Sequence, residues 1–453
     1  MDVKTAPRAE LIRTIYELQD TVESLETQLA ELRSRIEKQG PKPQDIPPAF
    51  IKANIKHKRR QEARRKRKEN FARHRDTPTK EVYHTYEACP DCHGKLGKPT
   101  VSYRRQVIDI PVTPVEVVEH VVFKRWCFSC RKRVQPAVNL SGSVVGHQRI
   151  GIRLMSIIDF LKEECRLPLE TIQSYLQIVH NLHLSQGSLV EMLQKTAHKG
   201  KATYEELGHK IRKADLVFAD ETGGRENGRN GYFWNFNTAD IQFLIYDNSR
   251  SNGMVTQVLG EEDAQDGFNG VLSSDFYTGY NIYNGYHQRC WVHLLRDIKK
   301  LKEDYKKHPP LNRWAKQVKQ IYDEAREYPG PDPTLSVRAK EQERIYKQQY
   351  FEEKLRKVIK PWVEKDSPMS TLCGRITKHL QELFVFVRFE GVPSDNNTAE
   401  RMVRHTVVSR KISGGTRSPL GSQTKSILAS LFGTWRLQNK NPLTECQLLL
   451  AAC

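Results

Sequence analysis

The chain has 453 residues, 38% hydrophobic and 28% charged, and its 73 Lys and Arg against 54 Asp and Glu give a formal charge of +19. Such a basic excess points to a polyanionic partner, a nucleic acid or an anionic membrane surface, and the length predicts two to four folded units. Membrane spanning is excluded, because no apolar run approaches the roughly 18 residues it requires, and the opening MDVKTAPRAELIRTIYE lacks the apolar heart of a signal peptide, which predicts a cytosolic protein.

Leu11, Ile15, Leu18, Val22, Leu25, Leu29, Leu32 and Ile36 follow one another in alternating steps of four and three. This unbroken seam predicts a coiled coil over residues 8–38, and with it a homo-oligomer of at least two chains. A stripe so narrow buries little unless it meets another helix. A single amphipathic helix packed on its own domain is the alternative. Residues 41–80 begin with a stiff linker containing Pro41, Pro43, Pro47 and Pro48 and continue as a basic arm. Between Lys52 and Arg75 twelve Lys and Arg face only two acids. Lys58, Arg59, Arg60, Arg64, Arg65 and Arg67 are its candidate DNA phosphate contacts, whose affinity falls steeply with salt. A solvated charge run is the plainer alternative.

Residues 81–140 carry CPDC (Cys89, Cys92) and CFSC (Cys127, Cys130). Cytosolic cysteines are better read as thiols or metal ligands than as disulfides. Two CxxC pairs predict a zinc ribbon, with four thiolates closing a tetrahedral structural site around one Zn²⁺. The β-branched stretch between the pairs reads as two strands connected around Pro111 and Pro114. Residues 142–213 read as helices, and the turn HLSQGS between the second and third resembles a helix-turn-helix. DNA contact and ordinary packing explain that turn equally well.

From residue 214 the pattern changes. ADLVFADET and GVLSSD read as strands, YFWNFNTADIQFLIYD alternates like a hairpin, and VTQVLG reads as a short helix. Three antiparallel strands, a helix and further strands parallel to the first is the order of an RNase H-like fold, here over 214–298. Residues 299–385 turn Lys/Glu-rich and strand-poor, which predicts a helical insertion before the core resumes over 386–453. The fold class expected is therefore multidomain α+β, in which a coiled coil, a zinc ribbon and a helical region precede an interrupted α/β core.

Three acids stand in this frame: Asp220 in LVFADET, Asp275 in GVLSSDFYTGY and Glu400 in SDNNTAERMVR. Two strand-end aspartates and one helical glutamate make a donor set for hard Mg²⁺ or Mn²⁺ ions. Two such ions, about 3.5–4 Å apart, serve phosphodiester cleavage by activating the attacking oxygen and stabilising the leaving one. Plainer readings exist: Asp275 caps a turn, and Glu400 pairs with Arg404 at i,i+4. Arg404, Arg410 and Lys411 are further candidate DNA phosphate contacts, and Gly414 and Gly415 mark a turn fit for close backbone approach to DNA. Cys290 and His293 form a CxxH pair read as structural support beside the active site, with His293 within reach of the scissile phosphate. Strand alternation turns Glu221 to the face opposite Asp220.

The two CxxC knuckles, ADET, SDFYTGY, CWVHLLRD, and DNNTAERMVR followed by RKISGG together resemble transposases of the bacterial insertion sequence 66 family, over nearly the full length. Carried over by motif, the resemblance puts an Asp-Asp-Glu triad on Asp220, Asp275 and Glu400, and zinc ligands on Cys89, Cys92, Cys127 and Cys130. It implies binding to terminal inverted repeats and target DNA, strand cleavage and transfer, small accessory proteins of the same element as partners, and action at the bacterial nucleoid. LLRDIKK after CWVH is less basic at its start than this resemblance leads one to expect. A non-catalytic DNA-binding protein and an RNase H-like nuclease without strand transfer are the competing readings.

Overall fold

A computed structural model describes Gln19 and residues 21–28, 76–110, 115–146, 148–261 and 267–452. They belong to two units, Met1–Ile110 and Pro111–Cys453. In the first, residues 21–28 are helical, and the seam positions Val22 and Leu25 are each 53% exposed. The rest of the seam lies outside the described residues, as do Lys58, Arg59, Arg60, Arg64, Arg65 and Arg67.

The predicted hairpin between the two CxxC pairs is not formed. Residues 101–110 and 115–124 carry no strand, and Val101, Val107, Ile110, Val117 and Phe123 are all exposed. β-branched side chains favour a strand only where a pleated surface receives them, and none does here. Pairing is instead local to each knuckle. Ala88 bridges Lys95 around the first, and β1 (Arg125–Cys127) pairs antiparallel with β2 (Lys132–Val134) around the second.

In the second unit four helices precede the sheet: α1 (Ile152–Glu163), α2 (Leu169–His180), α3 (Gln186–Lys199) and α4 (Lys201–Arg212). Asn181 closes α2 in the left-handed conformation, and the Ser185 hydroxyl accepts from Ser188 N to open α3. Ile172, Leu176, Leu189, Met192 and Leu193 of the helix-turn-helix-like pair enter the main core. One face of that pair is therefore packed into the core, while Tyr175, Ile178 and Val179 of α2 are exposed.

The sheet runs β5-β4-β3-β6-β7. β3 (Leu216–Glu226), β4 (Arg229–Asn237) and β5 (Gln242–Asp247) are antiparallel; α5 (Gly253–Leu259) follows, and β6 (Val271–Ser274) and β7 (His287–Arg289) run parallel to β3. Asn227 and Gly228, both at positive φ, turn β3 into β4. An Asn-Gly pair is a strong short-range hairpin signal, so β3 and β4 extend well past the strand ends expected from apolar alternation.

Helices α6 (Trp291–Asp304), α7 (Pro309–Arg326), α8 (Val337–Val363) and α9 (Ser370–Lys378) form their own core around Trp291, Trp314, Phe351 and Phe384. This helical run begins at Trp291, directly after β7, rather than near residue 299. Short α10 (Val385–Arg388) leads to α11 (Asn397–Ser413), α12 (Pro419–Leu437) and α13 (Pro442–Ala451). Helix α12 lies on β5, where the Ser430 and Thr434 hydroxyls accept from the Leu244 and Gln242 amides. Among the described residues no helix is long and apolar enough to cross a membrane.

Candidate active site

Register places the two aspartates. β3 and β6 are parallel with Phe218 opposite Ser273, so Asp220 and Asp275, each two residues further on, come to the same level on neighbouring strands. Residues two apart on a strand share a face, and adjacent strands lie about 4.8 Å apart. Asp275 follows the last residue of β6, and its Oδ1 accepts the Tyr277 amide at 2.9 Å. The turn-capping reading of Asp275 thus holds for one oxygen. Asp220 Oδ1 accepts the Glu221 amide at 2.9 Å.

Glu400 arrives from the far end of the chain. It lies in the first turn of α11, one turn in from Asn396, whose carbonyl accepts the Glu400 amide at 3.2 Å. Asn396 is buried and ties two segments to this helix start. Its side-chain amide donates to the Ala219 carbonyl at 2.8 Å, immediately before Asp220, and its backbone N–H donates to Cys290 Sγ at 3.2 Å. Cys290 N in turn donates to the Ser274 carbonyl, immediately before Asp275. Cys290 is thus a buried joint between β6 and the loop before α11. Burial pushes its thiol pKa up, away from a thiolate.

The carboxylates crowd one another electrostatically. The Asp220 pKa is pushed up to about 7, first by burial and then by the charges of Glu221, Asp275 and Glu400, against the Glu221 amide that favours the anion. Two basic side chains approach Glu400. His293 Nε2 and Arg296 of α6 lie 3.5 and 3.8 Å from Glu400 Oε1, too long for hydrogen bonds, and that buried oxygen has no hydrogen-bond partner. Arg296 belongs to the CWVHLLRD motif, though nothing there singles it out, and it lies three residues from His293 on a helix, which puts both on one face. Glu221 turns away as alternation predicts: Arg250 pairs with it and Tyr280 donates to it at 2.6 Å. Arg250 itself lies over the Tyr277 ring at 3.8 Å.

Asp220 feels the charges of both Asp275 and Glu400, and Glu400 keeps an orphaned buried oxygen, the kind of donor a hard divalent ion takes. Among the described residues no three Asp, Glu, His or Cys side chains are already drawn together as a metal cage.

The predicted phosphate contacts fare differently. Arg404 and Lys411 are exposed on α11. Arg410 is committed internally, its guanidinium donating to the Gly223 carbonyl. Gly414 and Gly415, at positive φ, bring the chain close onto β3. Thr416 N donates to the Arg225 carbonyl at 2.9 Å, and a Cβ on Gly415 would lie 2.4 Å from that oxygen.

Each knuckle makes the same kind of turn. His93 and Arg131, each following the second cysteine of its pair, are left-handed, with φ of 55° and 49°. Backbone N–H groups lower the Cys89 pKa, those of Cys92 first and then Asp91, and the Cys130 N–H, 3.4 Å from Cys127 Sγ, does the same for Cys127. Both first cysteines thereby favour the thiolate that binds zinc.

A family model described as "Transposase IS66 family" matches residues 147–424, and one described as "zinc-finger binding domain of transposase IS66" matches residues 87–131. No curated protein matches the chain.

Proposed function

The chain belongs to the IS66 transposase family, and from that premise we propose that it binds the ends of its mobile element and catalyses metal-dependent DNA strand cleavage and strand transfer. Asp220, Asp275 and Glu400 are the proposed catalytic residues, on a core of RNase H-like type. The observation that carries this reading is the parallel register that levels the two aspartates, with Asn396 tying the start of the Glu400 helix to the same strand. The strand order, three antiparallel strands and then two parallel to the first, supports the same core.

Bound Mg²⁺ or Mn²⁺, as a pair of ions, would lower the pKa of the attacking hydroxyl and offset charge on the phosphate. The chain's own part is to hold three carboxylates at one place. In cleavage a water oxygen bonds to phosphorus as the bond to the 3′ oxygen breaks, and that oxygen leaves as a 3′-hydroxyl. In transfer the freed 3′-hydroxyl attacks a target phosphodiester and displaces another 3′ oxygen. His293 and Arg296, which approach Glu400, are proposed to meet the phosphate once the carboxylates are neutralised. Exposed Arg404 and Lys411 are proposed to track the DNA backbone, and self-association through residues 8–38 to bring two ends together.

The test is a strand-transfer assay with purified protein, a labelled duplex bearing the element's own end, a target plasmid and Mg²⁺ or Mn²⁺. Metal-dependent joining, lost in Asp220→Asn, is the expected result. Cleavage that persists in Asp220→Asn overturns the triad. Binding without cleavage, also after addition of the element's accessory proteins, leaves a DNA-binding protein only.

Cys89, Cys92, Cys127 and Cys130 are proposed to hold one structural Zn²⁺, on the strength of the zinc-finger match and the thiolate-favouring turns. Cys127→Ser is expected to abolish the zinc content of the purified protein and to expose residues near 86–136 to protease. Unchanged zinc by metal analysis would remove this assignment.

A further inference from the structure

We infer that Arg289 and Glu382 are positioning residues for Asp275, a clamp through which the helical run between β7 and α11 fixes the end of its strand. The inference rests on the triad reading above. Strand β6 is four residues long and Asp275 lies just beyond it, where a strand end frays unless its backbone is tied down. Its carbonyl is held twice. Arg289 donates to it at 2.7 Å, and Ser274 Oγ, which also lies 2.7 Å from His287 Nε2, reaches it at 2.9 Å.

Arg289 is 1% exposed, and a buried guanidinium needs a counter-charge and filled hydrogen bonds. Both are present. Asn281 Oδ1 accepts from it at 2.5 Å, and the Glu382 carboxylate pairs with its Nε. Glu382 belongs to a 3₁₀ turn, Gln381–Leu383, that follows α9. His379, at the end of that helix, lies 3.0 Å from the other Glu382 oxygen. On the same side Phe276, the residue after Asp275, meets the His379 ring edge-on at 5.7 Å and lies under Arg375 at 4.6 Å. The peptide carrying Asp275 is therefore held by Arg289, and Arg289 and Phe276 are in turn held by Glu382, His379 and Arg375 from the far end of the helical run.

The discriminating variant is Arg289→Met with Glu382→Met. Removing both partners together leaves no uncompensated charge, so the fold should be retained while the anchor on Asp275 is lost. The double variant should melt close to the wild type and bind the DNA end with unchanged affinity. The Mn²⁺ concentration for half-maximal cleavage should rise about 10–100-fold, the usual effect of removing a group that orients a ligand. Mn²⁺ affinity of the DNA-free protein, read by electron paramagnetic resonance, should fall in parallel. A folded double variant with wild-type Mn²⁺ affinity and activation overturns the clamp. Should it not fold, Asn281→Ala, which frees the guanidinium at its other end, takes its place: weakened Mn²⁺ affinity supports the clamp and wild-type affinity overturns it. Asp275→Asn is the control: if it leaves Mn²⁺ affinity unchanged, the triad reading fails and not the clamp alone.

Discussion

Asp275→Asn is expected to lower strand cleavage by on the order of 10³-fold, the loss seen when one group that stabilises transition-state charge is removed. Asparagine keeps the shape and can still accept the Tyr277 amide through its Oδ1. It replaces the second carboxylate oxygen with an amide that cannot bind a cation. Binding of the DNA end, which depends on basic residues elsewhere, should stay intact in a mobility-shift assay. Wild-type cleavage by this variant would remove Asp275 from the site.

The second large effect concerns stability. Asp220 has its pKa raised from 3.8 to about 7, so the folded chain holds this proton more tightly than the unfolded chain does. As pH rises from about 4 through 7 the unfolded state releases its proton first, and the folded state loses stability over that window. Above pH 7 the full penalty is present; below about pH 4 there is none. Asp220→Asn lacks the charge, so without divalent ions it should be more stable than the wild type at pH 8 by about 2–4 kcal/mol. Urea denaturation at pH 8 should show that gap, and the gap should close near pH 4. Mg²⁺ should stabilise the wild type and leave the variant unmoved. Equal stability at pH 8 would show that the carboxylates are not crowded. The variant expected to be catalytically dead is thus expected to be the sturdier protein.

Much of the candidate site is legible in the sequence because its signals are local. Asp220 and Asp275 each end a short apolar run, and Glu400 opens a helical pattern; strand order then puts the aspartates side by side. The CxxC pairs are legible for the same reason. What misleads depends on distant partners. The valines and isoleucines between the knuckles look like strand formers, yet nothing packs on them. The glycine pair after α11 signals close approach without saying to what, and the partner is the backbone of β3. Arg410 reads as a free cation because Gly223, its acceptor, lies 187 residues earlier. Arg289 gives no signal at all, and Asn396, though inside DNNTAERMVR, gives none of its role, since an amide or a guanidinium is a joint only once its partners are folded around it. Asn227-Gly228 is the exception, a local turn signal sitting in a polar, glycine-rich run, TGGRENGRNG, that does not read as strand.

The Asn396 joint also bears on when the protein becomes competent. Its two partners, Ala219 and Cys290, lie 177 and 106 residues back along the chain. Pairings so remote form late, after the intervening loop has been closed. On a ribosome adding about 5–20 residues per second, β3 and β6 emerge many seconds before the helix that completes the acidic cluster. A nascent or prematurely terminated chain can therefore carry the knuckles, the basic arm and both aspartates and still be unable to cut. For the cleavage proposed above, late assembly would confine activity to nearly finished molecules.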